Sequence, residues 1–291
     1  MQNQMGVFIK EIRKSKNYSQ STVAGGIMHQ TNYSKFELGE IEISYGKFKK
    51  LLVNLELDIV EFEYLYALKN HSARQDLIYD FYKLRFINEE LLGQLIEGSI
   101  KYLENSSDRY INDILNVSKA LIAVKEDNFD LAEKYGGEIW RRLEGLDNWY
   151  LSDIKLINNI LFLFPIETAE YITEFALKQG RKYERHPEYE NVFLPFKYNL
   201  VHLLLRAKRI EEAKSLNEEV LNTFREKKLY TQIALCTLRK SMIELHLSTG
   251  VSSEESRENA YRIAEVLKDA ELTGKLKQEE HYINEILSVN A

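Results

Sequence analysis

Apolar side chains recur every third or fourth residue along most of this 291-residue chain. The spacing is clearest in IYDFYKLRFI, LLGQLIEGSIKYL, YINDILNVSKALIAV and IKLINNILFLF, and it places the apolar side chains on one face of an α-helix. No alternating strand pattern of useful length is present. The three prolines, Pro165, Pro187 and Pro195, fall at the start of apolar segments or between them, where a helix can begin but not continue. The spacing therefore predicts an all-α protein.

Four later segments share a motif in which an alanine follows a helix start. They are NFDLAEKYGGEIW, PIETAEYITEFAL, RIEEAKSLNEEVL and SRENAYRIAEVL, and their alanines are Ala132, Ala169, Ala213 and Ala260. The separations of 37, 44 and 47 residues exceed the repeat length of tetratricopeptide helix pairs, which is about 34 residues. A small side chain there lets one helix approach its neighbour closely. We predict a right-handed tetratricopeptide-like solenoid at 73–291, with five helix pairs and a final helix, after a linker at 68–72.

Residues 19–39, SQSTVAGGIMHQTNYSKFELG, predict two short helices around a sharp turn. Ser19 is a good N-cap, and Gly25-Gly26 interrupts the first helix. In the second helix Tyr33 and Phe36 point inward, because they are three residues apart. The side chains that face outward can bond base edges or phosphates: Gln30, Thr31, Asn32, Ser34 and Lys35.

This helical hairpin lies within a predicted five-helix domain at 1–67. GVFIKEIRKSKNYSQ precedes it, and KFKKLLVNL, preceded by Ser44, and IVEFEYLYAL, capped by Asp58, follow. Many amphipathic hairpins present their polar face only to water. Charge favours DNA contact here, because residues 1–54 contain 8 Lys+Arg against 4 Asp+Glu, whereas the remainder contains 31 against 41.

SQSTVA and SKFELGE resemble the SQxxxA…SKFExGE pattern of XRE/Cro-type helix-turn-helix domains, and in particular the Rgg regulators of streptococci and related Firmicutes. The resemblance implies a cytoplasmic homodimer that binds double-stranded promoter DNA and is switched by a short imported hydrophobic peptide. It assigns DNA-backbone contact to Gln20 and phosphate contact to Arg13 and Lys16. Base contact is assigned to Gln30, Thr31 and Lys35. Leu38 replaces the arginine usual in this pattern, and the turn is one residue shorter than in phage repressors.

The concave face of the predicted solenoid is where the resemblance places the peptide. Asn158, Asn159 and Asn199 lie in otherwise apolar helices, and an amide side chain can donate to and accept from a peptide backbone at once. The alternative is that each amide caps a neighbouring turn or bridges repeats. Candidates for bonding a peptide carboxylate, each of which is otherwise a solvated cation, are Arg85, Lys197 and Arg239; candidates for the groove walls are Tyr82, Phe162, Phe164 and Phe193.

Enzyme motifs are absent from the sequence. The six histidines are scattered, EEH at 279–281 lacks the HExxH spacing, and no glycine-rich phosphate loop occurs. We expect His202 to be a core histidine and the single Cys236 to be a small packed hydrophobe. We therefore predict a protein that is not an enzyme and has no metal or cofactor, no disulfide, no signal peptide and no membrane span.

The final helix carries a stripe of Tyr282, Ile283, Ile286 and Leu287 that either closes the solenoid or pairs two chains. Two chains would match two half-sites on DNA. Taken together, the sequence predicts a dimeric, peptide-responsive transcription regulator. The alternatives are a helical-repeat partner-binding or phosphatase-like modulator, and a phage-type repressor or antitoxin that needs no peptide.

Overall fold

A computed structural model describes residues 4–70, 72–84, 88–186, 189–247 and 253–288. The described residues form α-helices and two short 3-10 turns, Leu161–Leu163 and Arg181–Tyr183, without a strand. The all-α prediction is therefore confirmed. The helices are α1 Gln4–Ser15, α2 Gln20–Ala24, α3 Gln30–Glu37, α4 Tyr45–Asn54, α5 Ile59–Lys69, α6 Ala73–Lys83, α7 Glu89–Leu103, α8 Arg109–Lys125, α9 Phe129–Leu143, α10 Leu151–Ile160, α11 Ile166–Gly180, α12 Tyr189–Arg206, α13 Ile210–Glu226, α14 Tyr230–His246, α15 Ser253–Leu267 and α16 Ala270–Ser288.

The chain divides into two compact units, Met1–Asp80 and Phe81–Ala291. The division lies inside α6 and thus later than the linker predicted at 68–72. Lys69, inside that predicted linker, is the last residue of α5. A continuous helix from Ala73 to Lys83 therefore takes part in both units.

The N-terminal unit is built around a core to which α1 to α5 all contribute. Ile9, Tyr33, Phe36 and Leu51 are fully buried in it. The helices α1 and α3 approach closely, since a Cβ added to Gly6 would lie 1.8 Å from the carbonyl oxygen of Phe36. Glycine at position 6 is thus what permits backbone contact between the first helix and the end of α3.

The second unit has two layers of helices. One layer contains α8, α10, α12, α14 and α16, in which α10 packs against α8 and α12, and α16 packs against α12 and α14. Helices α7, α9, α11, α13 and α15 form the other layer. The alanines of the repeated motif are completely buried; they are the fourth residues of α9, α11 and α13 and the eighth residue of α15. Helix order thus follows the predicted solenoid. Helix pairs of the predicted kind would pack α11 against α10, whereas α11 packs mainly against α12 and the 3-10 turn at Leu161–Leu163.

The prolines agree with the prediction at one position and contradict it at another. Pro165 precedes α11 as predicted, but Pro195 lies inside α12, so the prediction that it marks a helix boundary is wrong. Pro187 is outside the described residues.

In α16, Ile283 is fully buried, and Ile286 and Leu287 pack against the same core cluster. The apolar stripe of the last helix therefore closes the solenoid. None of the described helices has the length and apolar character needed to cross a membrane.

Candidate functional site

The helix-turn-helix forms as the sequence predicts. The Ser19 hydroxyl accepts a hydrogen bond from the Thr22 amide at 3.0 Å and so caps α2. Gly26 then adopts a φ of 73°, a left-handed conformation that favours glycine. Helix α2 has ended at Ala24 with Gly25 as its C-cap, and Gly26 lies in the turn that leads to the start of α3 at Gln30.

Helix α3 has one buried and one open face. Tyr33 and Phe36 are fully buried. The opposite face presents the predicted polar set: Gln30, Thr31, Asn32 and Lys35 are exposed, and Ser34 is half-buried. The Thr31 hydroxyl lies 3.2 Å from Nδ1 of His29. The exposed side chains are accessible to a second molecule, and their contact with DNA remains a prediction.

Arg13 has a different role from the predicted phosphate contact. Its guanidinium donates to both carboxylate oxygens of Glu37, at 2.6 and 2.9 Å, and to the Tyr18 carbonyl at 2.7 Å. Burial of Glu37 opposes its ionisation, but hydrogen bonds from Arg13 and Gln20 hold the pKa of this carboxyl below its usual value. We therefore remove Arg13 from the DNA-contact set, because it is buried and ties α1 to the end of α3.

Gln20 and Lys16 remain at the surface of the N-terminal unit. The Gln20 amide donates one N–H to Glu37 at 2.8 Å, which leaves its second N–H for a phosphate oxygen. The Lys16 ammonium bonds the Glu56 carbonyl at 3.4 Å and is 4.0 Å from the Glu56 carboxylate. Both residues are half-buried and stay in the proposed set.

Three further cations on α4 were missed as DNA-contact candidates. Lys47, Lys49 and Lys50 are exposed, and no carboxylate pairs with them among the described residues. Three lysines in the first two turns of a helix capped by Ser44 were the available signal. We add them to the candidates for phosphate contact.

The open face of α10 and α12 carries the predicted amides. On α10, Ile154, Ile157 and Ile160 are fully buried, whereas Asn158 is half-buried on the other side. The Asn199 side chain of α12 donates to the Asn158 carbonyl oxygen at 3.3 Å. The pairing is the bridge between repeats that the sequence left as an alternative, and it still leaves the N–H groups of Asn158 and the carbonyl oxygen of Asn199 for another molecule.

Asn159 follows the other form of that alternative, a bond to a neighbouring turn. Its amide donates to the Lys155 carbonyl one turn earlier in α10, at 2.8 Å. The bond satisfies part of the amide within its own helix, so Asn159 has a weaker claim on a peptide than the Asn158–Asn199 pair.

Arg239 does not fit the predicted role of binding a peptide carboxylate. It is completely buried, donates to Glu279 at 2.5 Å and to the Tyr198 carbonyl at 2.9 Å, and lies over the Tyr198 ring. Glu279 also contacts His202 at 3.0 Å, which agrees with the expected core histidine. Burial opposes ionisation of Glu279, but Arg239 and His202 hold its pKa at about 2. Arg239 therefore joins α12, α14 and α16 within the protein interior.

The remaining predicted peptide contacts are dispersed. Lys197 pairs with Glu219 of α13, in the other layer, so we remove it from the groove set; Arg85 lies outside the described residues. Of the predicted groove walls, Phe193 is buried and Phe164 packs against Trp140. Tyr82 stays exposed, and Phe162 is half-buried.

Tyr82 contacts side chains of α8 and α10. The Lys155 ammonium is 3.5 Å from the centre of its ring, and its hydroxyl is 3.1 Å from that of Tyr110. The last turn of α6 is thus attached to α8 and to α10, the helix that carries Asn158.

The described residues include neither a metal-binding cluster nor a reactive thiol. They contain no group of three or more side chains arranged to hold a metal ion. Cys236 is buried, and burial raises the pKa of its thiol to about 12. The thiol is therefore not activated as a nucleophile.

Comparison with known proteins assigns both parts of the chain. Residues 9–62 match a helix-turn-helix family, and residues 94–278 match the family described as HTH-type transcriptional regulator Rgg, C-terminal domain. Among solved structures, a putative transcriptional regulator from Listeria monocytogenes EGD-e is 18% identical, with 98% of this chain and 99% of that chain covered and a TM-score of 0.75.

Two further structures share the fold over nearly their whole length. The Streptococcus dysgalactiae SHP pheromone receptor Rgg2 is 19% identical, with 97% of this chain and 99% of that one covered and a TM-score of 0.71. Bacillus thuringiensis PlcR, solved in complex with the peptide PapR7 and DNA, is 16% identical, with 99% and 100% covered and a TM-score of 0.66. The match to the Rgg C-terminal domain spans well over half of the sequence, and the chain therefore belongs to the Rgg family of helix-turn-helix transcriptional regulators.

Proposed function

We propose that this protein is a cytoplasmic, homodimeric transcription regulator that binds promoter DNA through α3. A short hydrophobic signalling peptide, bound on the open face of α10 and α12, switches it. The observation that carries the proposal is the polar, exposed face of α3, held in place by the buried Tyr33 and Phe36.

The dimensions and charge of the N-terminal unit support DNA binding. Helix α3 has 8 residues, so it is about 12 Å long, and the major groove is about 12 Å wide. Gln30, Thr31 and Lys35 are exposed on it. The lysines of α4 add positive charge in the same unit, where they can contact phosphates flanking the bases read by α3.

The peptide arm of the proposal is supported by the Asn158–Asn199 pair. A peptide backbone offers one N–H donor and one carbonyl acceptor per residue. The pair offers the complementary acceptor on Asn199 and the donors on Asn158, so it holds an extended backbone without fixing the side chains. PlcR was solved with a peptide and DNA, and Rgg2 is named as a pheromone receptor.

Dimer formation is proposed from the geometry of DNA reading. One α3 contacts only a short half-site, and helix-turn-helix proteins reach specific affinity by placing two reading helices about one DNA turn apart. A peptide then acts by binding more tightly to one arrangement of the dimer than to another.

The DNA arm is tested by selecting bound fragments from sheared genomic DNA and measuring their affinity by fluorescence anisotropy at several salt concentrations. Replacing Gln30, Thr31 and Lys35 together with Ala should abolish sequence preference with an unchanged circular dichroism spectrum. Glu61→Ala/Glu63→Ala, at two exposed positions of α5, is the control and should leave the preference intact. Retention of the preference by the triple variant would refute the assignment of α3.

The peptide arm is tested with a pool of synthetic hydrophobic octapeptides and affinity selection read by mass spectrometry. Asn158→Ala/Asn199→Ala should weaken binding of the selected peptides at least about tenfold, since each lost hydrogen bond costs about 0.5–1.5 kcal/mol. Asn222→Ala, exposed on α13 in the other layer, is the matched control.

These experiments also separate the rival functions. A partner-binding or phosphatase-like modulator predicts no sequence-specific DNA binding with a steep salt dependence. A phage-type repressor or antitoxin predicts DNA binding without a saturable peptide site in each protomer.

A further inference from the structure

We propose that Arg206 binds a carboxylate of the peptide, about three residues along from the backbone amide held by the Asn158–Asn199 pair. The inference rests on the proposed peptide-binding function and identifies a feature that selects among peptides. It replaces the roles that the sequence suggested for Lys197 and Arg239.

Arg206 is placed by a single backbone contact. It is the last residue of α12 and is exposed, and its guanidinium donates to the Phe162 carbonyl at 2.9 Å. A guanidinium has five N–H donors, so most remain available after this bond. The carbonyl orients the group without neutralising its positive charge.

Three other cations of these helices and their neighbours are paired with carboxylates. Arg239 binds Glu279, Lys197 binds Glu219, and Arg142 contacts two carboxylates, those of Asp113 and Asp153. Arg206 has no carboxylate partner among the described residues. Arg206 therefore offers an incoming anionic group a cationic partner at the end of α12.

Asn199 and Arg206 both contact the segment formed by α10 and the 3-10 turn that follows it. Asn199 donates to Asn158 of α10, and Arg206 donates to the carbonyl of Phe162, four residues later in that turn. Seven residues of helix separate Asn199 from Arg206, which is about 10 Å and places both on one face. An extended peptide advances about 3.3 Å per residue, so about three residues span the gap.

Guanidinium chemistry suits a carboxylate at this place. Arginine binds a carboxylate through two parallel N–H···O bonds, which a lysine cannot reproduce. The carboxylate is either the C-terminal group of the peptide or the side chain of an aspartate or glutamate, and the experiment separates these sources.

The probe is one pool of hydrophobic octapeptides prepared in three forms: free C-terminal acids, C-terminal amides, and C-terminal amides with one internal Asp. The proteins are the wild type, Arg206→Gln, which keeps a donor for the Phe162 carbonyl, and the control Arg225→Gln on α13. For peptides that the wild type selects, dissociation constants are then measured by calorimetry, with circular dichroism to confirm folding.

A carboxylate-bearing form should bind the wild type at least about tenfold more tightly than the neutral amide, since a charge-assisted hydrogen bond is stronger than a neutral one. Arg206→Gln should remove this preference, whereas Arg225→Gln keeps it. A preference for the free acid identifies the C-terminal carboxylate, and a preference for the Asp-containing amide identifies a side chain.

Two results would overturn the inference, and they differ in whether the proposed peptide-binding function is refuted as well. Binding that depends on Asn158 and Asn199 but is equal for acids and amides, or is unchanged in Arg206→Gln, refutes the role of Arg206 and leaves the proposed function standing. Absence of saturable binding by every form refutes the peptide arm of the proposed function together with this inference.

Discussion

The buried pair of Glu279 and Arg239 gives the sharpest prediction about stability. Replacing Glu279 with Gln keeps the volume of the side chain but leaves the fully buried Arg239 without an opposing charge. We expect a large loss in the free energy of unfolding of the second unit, because removing one partner of a buried ion pair costs about 3–5 kcal/mol.

The pKa of Glu279 gives an independent magnitude. Its pKa falls from 4.5 to about 2 despite burial, because of Arg239 and His202. One pKa unit corresponds to about 1.4 kcal/mol, so the ionised carboxylate contributes about 3 kcal/mol at neutral pH. For a unit of this size, that loss lowers the melting temperature by about 6–12 °C.

Urea unfolding followed by circular dichroism measures the effect, with the adjacent Glu280→Gln as the matched control. Glu280 pairs with the more exposed Arg257, and exposed ion pairs contribute only about 0–1 kcal/mol. An equal loss in the two variants, or a loss below about 1 kcal/mol in Glu279→Gln, would refute the reasoning from burial.

Three other outcomes are expected. Gly6→Ala should unfold the N-terminal unit at room temperature, because its Cβ would meet the Phe36 carbonyl oxygen at 1.8 Å, whereas Gly46→Ala, into open space, should retain the far-ultraviolet circular dichroism and cooperative melting. Because folding lowers the pKa of Glu279, the stability that its carboxylate contributes is complete above about pH 5 and should disappear as the pH falls towards 2. Over this range the free energy of unfolding should decrease less in Glu279→Gln than in the wild type. Glu37→Gln should weaken DNA binding and lower the melting temperature of the first unit, since Arg13 is then buried without its counter-ion; unchanged melting would contradict this role.

Features determined by neighbouring residues were predictable from the sequence. Capping by Ser19 and the inward direction of Tyr33 and Phe36 depend on spacings of three residues. The alanine motif revealed the repeated helices for the same reason, because burial at one helix-helix contact requires a small side chain.

Contacts between distant residues were not predictable in this way. Arg13 and Glu37 are 24 residues apart, and Arg239 and Glu279 are 40 apart. Each arginine looked like a free cation because its carboxylate lies on another helix. Asn158 and Asn199 were identified individually, but only the fold shows that they form a pair 41 residues apart.

Coupling between the two proposed sites is tested most directly by the affinity of the protein for its selected DNA with and without a saturating selected peptide. We expect two different dissociation constants for DNA in the wild type. In Asn158→Ala/Asn199→Ala, the DNA affinity without peptide should be unchanged and the effect of peptide at the same concentration should be lost. An identical DNA affinity for the free and the peptide-saturated wild type would contradict coupling between the sites, because a peptide that binds both states equally cannot act as a switch.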